Sequence, residues 1–328
     1  MTAPREGVSQ ARARQTEVLL ADIGGTHARF ALWRNGGISE STISYVRDYP
    51  SPAAAIGSYL SERGIDQPEL AVLAVAGPVD CGRACLTNAA WTFDERDLEQ
   101  ACGIRRVLLV NDFAAQAWAL PGLTAEDLEP LDGGPPVDGA TKLVLGPGTG
   151  LGLAAYLPPL GPEPDRVVTG EGGHALLAAE TEQEARLLAT LRIRFGRVSA
   201  ERVLCGDGLL ALAEALPSGT RFENSRALIA AARGGNAAAQ RALEQFCAFL
   251  GTFAGDMALA FGARGGVYLA GGLPPALSQE LKTSDFRSRF EAKGRFQEYM
   301  QAIPVWVVRH PNAAFVGLAR IAEKHLAH

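Results

Sequence analysis

Two stretches of this 328-residue chain follow one plan. In "VLLADIGGTHARFAL" (18–32) and "KLVLGPGTGLGLAAYL" (142–157), an apolar strand runs into a Gly/Thr-rich turn and a second apolar strand leaves it. A strand-turn-strand unit that recurs in this way points to two related halves and fits an ancestral duplication. Glycine at such a tip lets backbone N–H groups approach an anion that side chains would keep away, and phosphate is the natural guest. Two tips would hold a polyphosphate between them, with Asp22 reaching a magnesium ion through water, since Mg²⁺ gives up its hydration reluctantly. A Gly-rich hairpin of purely structural purpose is the competing reading of either tip taken alone.

The remaining apolar runs alternate with helical segments, the pattern of a mainly parallel α/β sheet with crossover helices. "ISYV", "LAVLAVAG", "VLLVND", "GVYLAGG" and "PVWVVR" read as further strands. One helix is expected near Asp94 to Ala101, and another from Glu182 to Phe195, opened by a Thr181/Glu184 capping box and stopped by Gly196. The longest is expected from Asn236 to Phe261. There Ala239, Leu243, Phe246, Leu250, Phe253 and Met257 recur at three- and four-residue steps and demand a buried face. The Pro/Gly-rich, acidic stretch from Pro121 to Ala140 interrupts the alternation and is expected to mark a domain boundary.

Composition removes several classes of function. Acidic residues outnumber basic ones 36 to 31, with no basic block beyond the N-terminal arginines, so no nucleic-acid face is expected. No apolar run reaches the roughly 18 residues of a membrane span, and the first 16 residues lack the apolar core of a secretory signal. They read as a loose tail, with a faint transit-peptide character in their Arg and Ser content. Cys81, Cys85, Cys102, Cys205 and Cys247 form no CxxC pair, which argues against a disulfide framework or zinc site and fits a reducing cytosol. None of the four lysines, Lys142, Lys282, Lys293 and Lys324, follows a glycine, so the P-loop is excluded. "GEGGHA" and "GDGLLA" match the dinucleotide fingerprint loosely but follow no clear strand. A third glycine turn, Gly271-Gly272, closes the strand in "GVYLAGGLPPAL", where an adenine or ribose would rest on bare backbone.

Taken together, "DIGGTHAR", "LTNAAWTFD", "VNDFAAQAWALP", "GPGTGLGLA", "GEGGH", "SAERVL", "LAGGL" and "HPNAAFVGLA" resemble the bacterial glucokinase family, distinct from the ROK sugar kinases. They occur in that family's order and span nearly the whole chain from Val18 onward. The resemblance implies an α/β, two-domain actin-like ATPase (ribonuclease H-like) fold, with a cleft between a smaller and a larger domain. On this chain the small domain would be 17–121 plus 312–328 and the large one 122–311, with 1–16 as a flexible tail.

The implied activity is transfer of the ATP γ-phosphoryl group to the 6-hydroxyl of glucose. By the resemblance Asp112 is the general base, a role in which a positioned carboxylate contributes about 10²- to 10⁴-fold. Taken alone, "ND" after a strand reads as a helix cap. The sugar-binding set would be Asn88, Asn111, Asp112, Glu171, His174 and Glu201, short polar groups suited to hydroxyls that both donate and accept. No HExxH or neighbouring His or Cys supports a metal at His174. Gly24, Gly25, Thr26, Gly148, Thr149 and Gly150 would hold the phosphates, Gly271 and Gly272 the adenosine, and Asp22 the Mg²⁺ of Mg·ATP. Arg29 would stand near the phosphates, or merely pair with an acid. His27 occupies a position where asparagine is expected in many relatives.

The implied partners are glucose and ATP, with a homodimer as the implied assembly and the cytoplasm as its place. The sequence leaves open another hexose or phosphoryl donor such as polyphosphate. A sugar-sensing regulator of ROK type would call for a helix-turn-helix and a zinc cluster, which only about 17 unpatterned leading residues do not supply. An actin-like structural ATPase would leave the "ND", "GEGGH" and "SAERVL" polar groups without a purpose.

Overall fold

The run Val18–Ile23, apolar except for Asp22, is the central strand, β1, of a first sheet in the computed structural model, which describes residues 17–86 and 89–327. The expected tail and Asn88 therefore lie outside the described residues. Contacts divide the chain into unit 1, reaching to Val110 and resuming at Ile321, and unit 2, from Asn111 to Arg320.

In unit 1, β1 is followed by β2 (His27–Arg34), β3 (Gly37–Ile38), β4 (Thr42–Tyr45) and helix α1 (Pro52–Glu62). Ser51 Oγ accepts the Ala54 N–H and Pro52 takes the first helical position, and the two together start α1. Then come β5 (Leu70–Val75), the short strands β6 (Val79–Asp80), β7 (Arg83–Cys85) and β8 (Thr92–Asp94), helix α2 (Glu95–Cys102) and β9 (Val107–Asn111). The sheet order is β3-β2-β1-β5-β9, with β4 also on β2; β1 is antiparallel to β2 and parallel to β5. Ala28, Phe30 and Leu32 point to one side of β2 and bury against Ile56, Tyr59 and Leu60 of α1. His27 and Arg29 therefore project from the opposite face.

Unit 2 opens with α3 (Asp112–Ala119), then β10 (Leu128–Asp132), β11 (Lys142–Pro147), β12 (Leu151–Leu157) and β13 (Arg166–Gly170). Helices α4 (Glu182–Phe195), α5 (Gly206–Ala215), α6 (Ser225–Arg233) and α7 (Ala237–Phe261) precede β14 (Val267–Leu269). Short helices α8 (Leu273–Ala276), α9 (Ser278–Thr283), α10 (Phe286–Glu291) and α11 (Gln297–Gln301) lead to β15 (Val305–Val308) and α12 (Ala313–Leu326), which passes from unit 2 to unit 1 at Ile321. The sheet runs β10-β15-β14-β11-β12-β13. Its β11 is antiparallel to β12 and parallel to β14, the arrangement of β1 with β2 and β5, so the repeated sequence plan is also a repeated topology.

The α7 stripe is buried as its period requires, from Ala239 to Phe253, with Met257 partly buried on the same core. The α4 capping box closes with both of its hydrogen bonds, and Gly196 ends the helix at φ 69°. The stretch from Pro121 to Ala140, expected as a boundary, is instead built into unit 2. Leu128–Asp132 pairs antiparallel with β15. Contacts change hands after Val110 because α3 packs on β11, β12 and β13 rather than on the sheet that precedes it. Among the described residues no helix is long and apolar enough to cross a membrane.

Candidate active site

At the β1–β2 tip the turn closes through the Gly24 N–H, which donates to His27 O at 2.9 Å, while Thr26 O accepts the Val46 N–H at 3.0 Å. The N–H groups of Gly25 and Thr26 have no partner among the described residues. Asp22 and Arg29 are cross-strand partners, and Arg29 Nη1 lies 3.1 Å from Asp22 Oδ2. Burial raises the Asp22 carboxyl above its ordinary range, and the charge and hydrogen bond of Arg29 pull the other way without cancelling it. His27 packs its ring 5.0 Å from that of Tyr45, its partner on β4.

The β11–β12 tip repeats this design. The Gly148 N–H donates to Gly150 O at 2.8 Å, and Gly148 O accepts the Gly206 N–H at 2.9 Å from the start of α5. Thr149 and Gly150 keep N–H groups with no partner among the described residues. Gly271 adopts φ 84°, and a Cβ there would stand 3.0 Å from Pro147 O, so the third glycine turn lies directly against this tip and only glycine suits it.

Beside the same tip, the short turn Gly172–His174 and the residues before α5 bring three polar side chains together. His174 Nε2 lies 4.0 Å from Glu171 Oε2 and 4.0 Å from Glu201 Oε1. The second Glu201 oxygen accepts the Leu151 N–H at 2.9 Å, and Arg197 Nη1 donates to His174 O at 2.7 Å. Among the described residues no group of three His, Cys, Asp or Glu side chains is arranged to hold a metal ion.

Asn111 and Asp112 stand where β9 ends and α3 begins. Asn111 Oδ1 accepts the N–H groups of Phe113 and Ala114 at 3.0 and 3.2 Å and is the cap; Asp112 opens the helix, its Oδ1 accepting the Phe113 N–H at 2.9 Å. The cap and the acid are thus separate residues. Phe113, next along, lies over Gly146 and Gly152, which face each other across β11 and β12. A Cβ on Gly152 would fall 2.0 Å from the Phe113 ring.

Of the residues singled out from the sequence, Asn111, Asp112, Gly148, Thr149, Gly150, Glu171, His174, Glu201, Gly271 and Gly272 belong to unit 2. Asp22, Gly24, Gly25, Thr26 and Arg29 form the tip of unit 1. The sequence reading missed Gly146, Gly152, Gly206 and the Leu151 N–H as supports. The one local signal was glycine at every second position from 146 to 152.

Two sheets of matching topology, each with a glycine hairpin tip, and a cluster of one histidine and two glutamates beside one of them define a two-domain α/β protein of the actin-like ATPase fold. A glucokinase from an Antarctic psychrotroph superposes with a TM-score of 0.83 and 34% identity over 94% of this chain and 99% of that one. The chain belongs to the glucokinase family, whose family model matches residues 19–325. It is 46% identical to a glucokinase of Paramagnetospirillum magneticum over 92% of this chain and 96% of that one. It is 42% identical to a glucokinase of Chromohalobacter salexigens, over 91% and 95% of the two chains.

Proposed function

We propose that this chain transfers the γ-phosphoryl group of ATP to the 6-hydroxyl of glucose, giving glucose 6-phosphate and ADP. Family membership supports the reaction. The observation that carries the assignment of residues is the cluster of Glu171, His174 and Glu201 seated on a glycine tip that retains two unused N–H donors.

Asn111, Glu171, His174 and Glu201 hold the sugar hydroxyls, with Asn88 as a further candidate. Asp112 accepts the proton of the 6-hydroxyl as its oxygen meets the γ-phosphorus, so the nucleophile sharpens only when the phosphoryl group is in place. The free N–H groups of Gly25, Thr26, Thr149 and Gly150 donate to phosphate oxygens. Because they are already oriented by their turns, they stabilise charge on the transferring group without reorganising. The Gly24 and Gly148 N–H groups are engaged within the turns and serve as their closures. Gly271 and Gly272 offer bare backbone to the adenosine.

Mg²⁺ arrives with the nucleotide as part of the substrate. A single partly buried carboxylate, Asp22, suits an ion that keeps most of its waters, whereas a dedicated protein cage would need several oxygen ligands. Arg29, paired with Asp22, keeps that carboxylate oriented and adds positive charge near the phosphates. A homodimer in the cytoplasm completes the proposal. The test is a coupled assay with Mg·ATP and a panel of hexoses, reading phosphoryl transfer and idle ATP hydrolysis separately. Transfer to glucose ahead of mannose, fructose and amino sugars is expected; ATP hydrolysis without transfer to any of them would refute the proposal.

A further inference from the structure

One side chain joins the polar cluster to the β11–β12 tip. Glu201 Oε2 accepts the Leu151 N–H at 2.9 Å, at the first residue beyond the tip, while Oε1 stands 4.0 Å from His174 Nε2. A Cβ on Gly150 would lie 2.6 Å from Oε2, so the carboxylate presses on the tip just where glycine leaves room for it. The backbone repeats the connection. The Glu201 N–H donates to Gly173 O at 2.8 Å, the Ala200 N–H donates to Ala175 O at 2.9 Å, and a Cβ on Gly173 would fall 2.2 Å from Leu151 O. The "GEGGH" turn, Glu201 and the tip are far apart in sequence yet locked at van der Waals contact, and close-packed segments do not shift singly.

We propose that Glu201 is a positioning residue that couples the sugar subsite to the phosphate tip within unit 2. A carboxylate with one oxygen on the tip and the other in the sugar subsite has one preferred placement when both are engaged. A hydroxyl that draws Glu201 toward the sugar therefore sets the Leu151 N–H and the free amides of Thr149 and Gly150, and phosphate on those amides in turn fixes Glu201 for the sugar. Coupling of this kind is reciprocal: each ligand tightens the other by the same factor. The inference rests on the sugar and phosphate assignments above.

Two cross-effects test it, both read by titration calorimetry on the full-length chain, with folding checked by circular dichroism. Gly150→Ala removes nothing that a sugar touches but drives Oε2 off the tip, so glucose affinity measured without nucleotide should fall about fivefold or more. Glu201→Ala should weaken Mg·AMPPNP, measured without sugar, by a similar factor. Glu201→Gln, whose amide oxygen still accepts the Leu151 N–H, should largely restore nucleotide affinity. Wild-type glucose affinity in folded Gly150→Ala, or wild-type Mg·AMPPNP affinity in folded Glu201→Ala, overturns the proposal. If Gly150→Ala does not fold, the two Glu201 variants decide alone. Failure of the underlying assignment has a different signature: the unaltered chain would neither bind glucose nor phosphorylate it.

Discussion

Asn111 and Asp112 divide the start of α3 between them: Asn111 Oδ1 caps the Phe113 and Ala114 N–H groups, and Asp112 occupies the first helical position. Asp112 Oδ1 shares the Phe113 N–H with the cap, at 2.9 Å, while the Ala114 N–H goes to Asn111 alone, so closing the helix does not rest on Asp112 by itself. Asp112→Asn is expected to lower kcat by about 10²- to 10⁴-fold while glucose still binds. Asn111→Ala is expected instead to lose about 1 kcal/mol of stability with the cap, besides any loss of sugar affinity. Steady-state kinetics, calorimetry with glucose and urea denaturation separate the two; turnover within tenfold of wild type in Asp112→Asn would remove it from the chemistry.

The seat of α3 on the second sheet gives another prediction. Phe113 occupies the space left by the cross-strand pair Gly146 and Gly152, and a methyl group on Gly152 would collide with the ring. Gly152→Ala is expected to cost about 1–3 kcal/mol through overpacking. It should also reduce kcat, because the displaced ring carries Asp112 with it. Urea denaturation and turnover, measured together, check this; a variant unchanged in both would show that the ring has another place to go.

Elements governed by local chemistry were legible in the sequence. The α4 box needed only Thr181 and Glu184 three residues apart, and the α7 stripe only its period. The two tips stood out because the same strand-turn-strand plan occurs twice, whereas either glycine turn alone would read equally as a structural hairpin. The boundary at Pro121 to Ala140 misled because turn residues mark breaks in a chain without saying what lies between them. Leu128–Asp132 becomes a strand through β15, a partner far along the chain. In the same way, no local pattern places Glu171, His174 and Glu201 within reach of one another. Their grouping follows from how the "GEGGH" turn and the residues before α5 dock on β11–β12, so from sequence it was visible only through the family resemblance.

Asp22 is expected to trade stability for function. Burial raises its carboxyl, and Arg29 offsets only part of this. A folded pKa above the ordinary 3.8 means that its stabilising contribution is full below that value and is lost as pH rises through the raised one. Asp22→Asn should therefore unfold at or above the wild-type temperature at pH 7, with the difference shrinking toward pH 4. Its KM for Mg·ATP should rise and its turnover fall by about tenfold or more, since one well-placed charge contributes on the order of 1.4 kcal/mol or more. Thermal melts across pH and kinetics against Mg·ATP test both halves; normal kinetics would free Asp22 of any role toward the nucleotide.

Glu184 carries the opposite dependence. It is 2% exposed, and its oxygens accept from Arg289, Gln245 and the Glu180 N–H at 2.8 to 3.0 Å while completing the α4 capping box. Burial pushes its carboxyl up, but these donors and the Arg289 charge together outweigh it and hold the carboxyl below its ordinary 4.5. A depressed folded pKa contributes stability that is complete above the unfolded value and is lost as pH falls through the folded one. Glu184→Gln leaves Arg289 with Glu180 and the more distant charge of Asp285, and should cost about 3 kcal/mol at pH 7, the low end for breaking a buried pair. The gap between wild type and variant should be constant above pH 4.5 and close as pH drops below it. Urea denaturation at pH 7 and at successively lower pH measures that gap directly. A gap independent of pH would mean that hydrogen bonding and packing, not the ionised carboxylate, hold α4, α7 and α10 together at this point.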